Sequence, residues 1–248
     1  MSVASRVERG LSLVPGGDPV RAENDGFSVE EPGVGPLPAD NACAIALPFP
    51  DAPTLSELFA ASPRDAGWAG LLALQLRPGP LLWVQERMAI LEGGRVHPAG
   101  LGRHADGLIH VEARDARAAL WAMEEGLRCP ALSAVVGELW GDPAALDFTA
   151  TRRLAVAAER HGVAAFLIRL GGHANLSGAR QRWRVGSVPS AAHPLDHKAP
   201  GPPRWDAELF RARGRAPGRW VAGDEAHLLP VAAEPAAGAV GQEQRRLG

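Results

Sequence analysis

The sequence predicts an α/β fold in which a parallel or mixed β-sheet is flanked by helices. Three short apolar runs, typical of buried strands, begin at Leu108, Leu132 and Val163. Between them lie two stretches with helical spacing of their apolar residues, Asp115–Arg128 and about Thr149–Gly162. Strands that alternate with helices are typical of βαβ units, whose parallel strands are joined by crossover helices.

Two earlier apolar runs extend the predicted sheet. Cys43–Leu47, which is stopped by prolines, is predicted as the first buried strand, and Pro80–Val84 as the next. Helix-start residues at 51–54 are followed by Leu55 and Phe59, which would share one face of a helix. We therefore expect a helix directly after the first strand.

The helix Asp115–Arg128 must cover the strand that begins at Leu132. Trp121 lies within this helix, among several apolar residues. Large aromatic side chains contribute most to a core when they are buried. Trp121 is therefore predicted to be a core residue.

After Gly171 the pattern changes to that of exposed antiparallel strands. Arg180, Arg182 and Arg184 alternate with uncharged residues, so a strand would project all three from one face. A second run repeats this spacing with three further arginines, Arg211, Arg213 and Arg215. We refer to these six residues as the arginine ladder.

The chain length fits one domain with additional terminal segments. It has 248 residues, of which 46% are hydrophobic, enough for a sizeable core. The predicted organisation is an irregular segment at 1–40, an α/β core at 41–190, a loop and C-terminal strands of the same domain at 191–222, and a disordered tail at 223–248.

Cysteine usage and hydropathy bear on the compartment. Cys43 and Cys129 are far apart and form no CxxC pair, which argues against a zinc site and indicates reducing surroundings. No run reaches the roughly 18 apolar residues of a membrane span, and the amino terminus does not resemble a secretory signal. We expect a cytoplasmic protein.

Positive charge is concentrated in the carboxy-terminal half. Between residues 151 and 222 there are thirteen cations and four acids, whereas the whole chain has a net charge of −2. An anionic partner, either nucleic acid or an acidic protein surface, would explain this bias. A solvated sheet face is the alternative, because GC-rich coding would also favour arginine: Lys198 is the only lysine.

The phosphate-binding loop of an ATPase is missing where it would be expected. Such a loop has the pattern Gly-x4-Gly-Lys-Ser/Thr, whose backbone N–H groups and lysine hold the phosphates. Residues 48–54, after the first predicted strand, contain three prolines, an aspartate and no glycine or lysine. Glu138, predicted to follow the Leu132–Val136 strand, occupies the place of a metal-holding acid, or else is a helix-capping or solvated carboxylate.

Several stretches resemble the ImuA family of RecA-like accessory proteins. These stretches are 79–84, 119–128, 134–138, 146–154, 182–185 and 203–213. The resemblance extends over about residues 79–222 and implies a RecA-like core with a degenerate P-loop. It also places Glu86 where RecA has a catalytic glutamate and Glu138 near the metal-binding acid, both as relics.

The resemblance implies a non-catalytic role in SOS-induced, error-prone translesion DNA synthesis. It implies contacts with RecA and with an inactive Y-family polymerase homologue, ImuB, and suggests an error-prone polymerase and single-stranded DNA as further partners. No cofactor, metal or catalytic residue is expected. The arginine ladder is the candidate contact surface. A SulA-like inhibitor of cell division is the alternative function.

Overall fold

A computed structural model describes residues 47–104, 106–223 and 229–230. The predicted segment 1–40, residues 43–46 and most of the tail 223–248 lie outside the described residues. The elements, in chain order, are β1 (Leu55–Ala60), α1 (Gly67–Gln75), β2 (Leu81–Glu86), α2 (Arg87–Gly93), a 3₁₀ helix (Pro98–His104), β3 (Leu108–Ala113), α3 (Ala116–Leu127), β4 (Ala134–Trp140), α4 (Phe148–His161), β5 (Ala164–Leu170), β6 (Gln181–Val188), β7 (Arg204–Ala212), β8 (Gly218–Gly223) and β9 (Leu229–Pro230).

The described strands form one mixed sheet in the order β3-β2-β4-β5-β1-β6-β7-β8-β9. All pairs from β3 to β6 are parallel. The pairs from β6 to β9 are antiparallel. The predicted α/β class, with a parallel core and antiparallel carboxy-terminal strands, is confirmed.

Helices cover both faces of the parallel half of the sheet. Residues of α1 and α2 pack on one face, and residues of α3 and α4 pack on the other. The central strands are buried on both faces because both are covered, as in β4, where Ala134–Leu139 are all buried. Among the described helices none packs against the α3–α4 side of β7 and β8, so that part of the sheet is open.

The sequence determines where α3 and α4 begin. Asp115 accepts a hydrogen bond from the N–H of Ala118 at 2.8 Å, and Asp147 accepts one from Ala150 at 2.7 Å. Each carboxylate satisfies a helical N–H group that has no partner within its own helix. The last turn of α4 ends at Gly162, whose φ of 70° favours glycine.

The predicted helix after residues 51–54 is wrong. Residues 55–60 instead form β1, which lies between β5 and β6. Leu55 and Phe59 do have helical spacing, but five of the six residues of the strand are buried, including Glu57. Pairing on both edges outweighs the local preference, because it satisfies the backbone and buries both faces of the segment.

The predicted burial of Trp121 is also wrong. Its side chain is 64% exposed, whereas Leu120 and Met123 of the same helix are buried. Residues one position apart on a helix point about 100° away from each other, so only one of the pair 120 and 121 can face the sheet. Leu120 takes that position, and Trp121 lies on the outer side of α3.

Candidate functional site

The loop between β1 and α1 is where a RecA relative would hold phosphate. Because β1 begins at Leu55, this loop comprises residues 61–66 and not the predicted residues 48–54. Residues 61–66 are Ala-Ser-Pro-Arg-Asp-Ala and contain neither glycine nor lysine. Lys198, the only lysine, lies in the connection between β6 and β7.

A carboxylate lies at the start of α1. Asp65 Oδ1 accepts a hydrogen bond from the N–H of Gly67 at 2.7 Å and from the hydroxyl of Ser187 at 2.8 Å. Asp65 Oδ2 accepts from the N–H of Ser187 at 2.9 Å. A Cβ on Gly67 would lie 2.6 Å from the carbonyl carbon of Gly186, so glycine allows α1 to begin directly against β6.

These hydrogen bonds favour the charged form of Asp65. Its partial burial opposes ionisation, but the hydrogen bonds from Gly67 and Ser187 outweigh burial and lower the pKa of Asp65 below its ordinary value. The Asp65 carboxylate thus already accepts a hydrogen bond from the N–H group of Gly67 at the start of α1. Helix-start N–H groups of this kind bind phosphate in nucleotide-binding loops. The negative charge of Asp65 would repel a phosphate.

The sequence predicted that Glu138 follows its strand, but Glu138 lies inside β4. Its side chain is 4% exposed and accepts hydrogen bonds from Trp83 Nε1 and, at 3.0 Å, from Gln85 Nε2. Burial raises the pKa of Glu138 above its ordinary value, and these two hydrogen bonds reduce that rise without cancelling it. Gln85 also accepts from the N–H of Val96 at 3.0 Å, so the group connects β2 and β4 to the segment that follows α2.

Glu86 is the last residue of β2. It is 7% exposed, and its carboxylate accepts a hydrogen bond from the N–H of Trp140 at 3.0 Å. Glu86 and Glu138 are thus bound to neighbouring strands, and neither points into a described cavity. Both acids therefore join β2 to β4 by side-chain hydrogen bonds.

Sequence reasoning missed a buried charge cluster on β1, β5 and β6. Glu57, Arg169 and Arg182 have exposures of 0%, 1% and 3%. Glu57 Oε2 accepts a hydrogen bond from Arg182 Nε at 2.6 Å, and its other oxygen lies 3.7 Å from Arg169 Nη1. The three side chains lie on the sheet face that α3 and α4 cover, next to one another across β5, β1 and β6.

Aromatic and acidic side chains surround this cluster. Both guanidinium groups lie 5.2 Å from the ring centre of Phe59, and Arg182 lies 5.3 Å from that of Phe210. Asp142 accepts a hydrogen bond from Arg169 and connects the cluster to the surface. Two acids therefore balance two arginines, and the cluster needs no bound anion for neutrality.

The arginine ladder does not form a free cationic surface. Arg180 donates to Glu159 at 2.6 Å, and Arg215 to Asp51 at 3.0 Å. Arg184 forms an exposed pair with a β7 acid, Glu208. Arg182 is buried in the cluster. The six arginines therefore do not project together from one exposed face as the candidate contact surface requires.

Two residues of the ladder remain available on the surface. Arg211 and Arg213 are exposed and form no direct ion pair with another described residue. The charge of Arg213 nevertheless acts on Glu159, whose pKa is lowered first by the hydrogen bond from Arg180 and further by Arg213. Arg211 lies opposite Arg182 across β6 and β7, and the N–H of Arg213 donates to the carbonyl of Arg180 at 2.8 Å. The two arginine runs are therefore neighbours, but Arg213 and Arg215 follow β7 and do not belong to it.

A signal for the buried cluster is present in the sequence. Glu57 interrupts the apolar run Leu-Ser-Glu-Leu-Phe, and Arg169 interrupts Ala-Phe-Leu-Ile-Arg-Leu. A charge inside a fully buried strand requires an opposite charge, because burial without a partner is costly. The assignment of 51–59 to a helix concealed this pairing.

The fold and the site define an α/β protein with an open, mixed sheet. In its β1–α1 loop, the Asp65 carboxylate accepts a hydrogen bond from the N–H group of Gly67 at the start of α1. In the described part of the chain no group of three histidines, cysteines or acids is placed to hold a metal ion. The helices of that part are all too short or too polar to cross a bilayer.

Comparison with known proteins gives a particular relative. No family model matches the chain. It is 37% identical over 153 residues to Protein ImuA of Caulobacter vibrioides, in strain NA1000 / CB15N and equally in strain ATCC 19089. The match covers 58% of this chain and 59% of each relative, so the chain spans less than two thirds of the curated relatives it matches. The resemblance to ImuA is confirmed.

Proposed function

We propose that this protein is a non-catalytic accessory factor in damage-induced, error-prone translesion DNA synthesis. It acts by contacting RecA and an ImuB-type polymerase homologue, with an error-prone polymerase and single-stranded DNA as further candidate partners. The observation that carries this proposal is the 37% identity to Protein ImuA over 153 residues. The proposed site of action is the cytoplasm.

The β1–α1 loop supports a role without catalysis. Residues 61–66 contain no lysine to reach a terminal phosphate and no glycine to let the backbone surround one. Asp65 occupies the N–H group of Gly67 at the start of α1. A nucleotide would have to displace this carboxylate and bind beside its charge.

The two acids at the carboxyl edge of the sheet support the same proposal. In an ATPase such acids hold a metal or position water and must face the nucleotide. Here Glu86 accepts from the backbone of Trp140, and Glu138 accepts from Trp83 and Gln85. Their hydrogen-bonding capacity is used to join strands of the sheet.

Within the arginine ladder, the proposed contact surface is reduced to Arg211 and Arg213, which are exposed and form no direct ion pair with another described residue. Arg211 and Arg213 are accessible to phosphates or an acidic protein surface, whereas Arg182 is not. Arg180, Arg184 and Arg215 would first have to exchange their present carboxylate partners. The ladder therefore contributes about two new ionic contacts and not six.

Co-purification from DNA-damaged cells tests the proposal. A tagged chain should retain RecA and the ImuB-type homologue, and deletion of its gene should abolish damage-induced mutagenesis without altering growth in undamaged cells. A chain with Leu91, an exposed α2 residue, changed to Ser provides a matched surface control. Filamentation on overproduction, with neither partner retained, would contradict the proposal and favour the cell-division inhibitor.

A further inference from the structure

The outer side of α3 and α4 carries apolar side chains that the fold does not use. Trp121 on α3 is 64% exposed, and Val156 on α4 is 47% exposed. Both helices bury their other faces against the sheet through separate residues, so neither side chain is needed to cover it. Tryptophan is among the residue types that contribute most to binding at protein interfaces.

A groove between the two helices is lined by Val156, though not by Trp121 itself. Its volume is about 300 Å³, and its lining includes Glu124 of α3, Arg128 directly after α3, and Arg152, Val156 and Arg160 of α4. Trp121 and Glu124 have i, i+3 spacing and therefore lie on the same side of α3. Trp121 thus lies about one helical turn before Glu124, a lining residue of the groove.

The groove has an excess of positive charge. Its one lining acid, Glu124, is already paired with Arg153 at 2.7 Å and with Arg128 at 3.6 Å. Arg152 and Arg160 are exposed, line the same groove and form no ion pair within the described residues. They flank Val156 at i−4 and i+4, so an apolar spot lies between two free guanidinium groups.

We propose that this α3–α4 groove binds an acidic, amphipathic peptide segment of a partner protein. Apolar side chains of the segment contact Trp121 and Val156, and its carboxylates pair with Arg152 and Arg160. This mode follows the helix-in-groove recognition in which apolar anchors give affinity and flanking charges give orientation. The proposal does not depend on a role in mutagenesis.

The apolar side chain between the two free arginines favours a peptide over nucleic acid. Glu124 and Glu125, one turn beyond Trp121, both pair with Arg128, at 3.6 Å and 3.1 Å, so their charges are already balanced. Val156 lies in the groove between Arg152 and Arg160. A peptide can place an apolar side chain on Val156 and carboxylates on the two arginines, whereas a nucleic-acid backbone would also bring charged phosphates against Val156.

Fluorescence anisotropy with the full chain tests this proposal. The probe is a labelled 16-residue peptide that has leucines at i, i+3, i+4 and i+7 and glutamates elsewhere; a matched peptide has lysines in place of the glutamates. We expect the acidic peptide to bind, with affinity that falls as salt rises, and the lysine peptide not to bind. Trp121→Ser, and separately the double variant Arg152→Glu/Arg160→Glu, should each weaken binding roughly tenfold or more.

Leu91→Ser is the control, because Leu91 is 67% exposed on α2, on the other side of the sheet. It should leave binding unchanged, and all variants should melt within about 2 °C of wild type, as expected for exposed substitutions. Equal binding by wild type and Trp121→Ser, or no binding of the acidic peptide, would overturn the proposal. So would competition by a thymidine 20-mer, or a dimer of the chain that Trp121→Ser dissociates.

Discussion

Replacing Glu57 by Gln should strongly destabilise the fold. Glu57 is fully buried, and its two oxygens face Arg182 at 2.6 Å and Arg169 at 3.7 Å. Glutamine keeps the shape but removes the charge, and its amide NH₂ would meet a guanidinium N–H, so a donor would face a donor. Arg169 would then keep one acidic partner, Asp142, whose side chain is 34% exposed, and Arg182 would lose its acidic partner.

The expected loss follows from the buried position of this acid. Removing one partner of a buried ion pair costs about 3–5 kcal/mol. For a domain of this size, about 1 kcal/mol corresponds to a Tm change of about 2–4 °C, so Tm should fall by about 6–20 °C. Urea unfolding, followed by far-UV circular dichroism, gives the change in free energy of unfolding directly.

Glu208→Gln is the matched control. Glu208 pairs with Arg184, but the two side chains are 36% and 51% exposed. An exposed pair contributes about 0–1 kcal/mol, because water screens both charges. If Glu57→Gln lowered the free energy of unfolding by no more than Glu208→Gln, the buried cluster would not hold β1, β5 and β6 together as argued here.

Three further predictions concern the other acids and the free arginines. Burial raises the pKa of Glu138 in the folded chain, so the stabilising contribution of Glu138 is complete below its unfolded pKa and is lost as pH rises through its folded pKa. Between pH 5 and pH 8 the wild type should therefore lose more free energy of unfolding than Glu138→Gln. Equal losses in parallel urea titrations would contradict this. Asp65→Ala should lower the free energy of unfolding by about 0.5–2 kcal/mol, as for loss of a helix cap, because the N–H groups of Gly67 and Ser187 lose their acceptor. Thermal melts measure this loss, and an unchanged Tm would show that the carboxylate is not needed there. If single-stranded DNA binds the ladder, the double variant Arg211→Glu/Arg213→Glu should weaken binding. It should also reduce the slope of log K against log salt concentration by about 1.4, because two phosphate contacts are lost. An unchanged slope in anisotropy titrations would show that these two residues do not contact the DNA.

The α/β class and most elements could be predicted because their signals are local. Asp115 and Asp147 begin helices by capping them, and apolar runs such as the one in β4 mark strands buried on both faces. The change to antiparallel pairing after Gly171 was also visible, since alternation of charged and uncharged residues has period two in a strand. Each of these features involves residues a few positions apart.

The errors arose where distant residues decide the structure. Residues 55–60 have helical spacing, but pairing with β5 and β6 makes them a strand. That strand brings Glu57 next to Arg182, which lies 125 residues away along the chain. Pairing of the arginine ladder with acids on α4 and β7 could not be seen locally, so the ladder looked free of partners.

The clearest test of a role without catalysis is a direct titration of nucleotide. Isothermal titration calorimetry of the full chain with ATP and magnesium, together with a phosphate-release assay, should give no saturable binding and no hydrolysis above the buffer rate. RecA, measured in parallel, serves as the positive control. Saturable binding of magnesium–ATP in the low micromolar range, lost on Glu138→Ala while the fold is retained, would contradict the central claim.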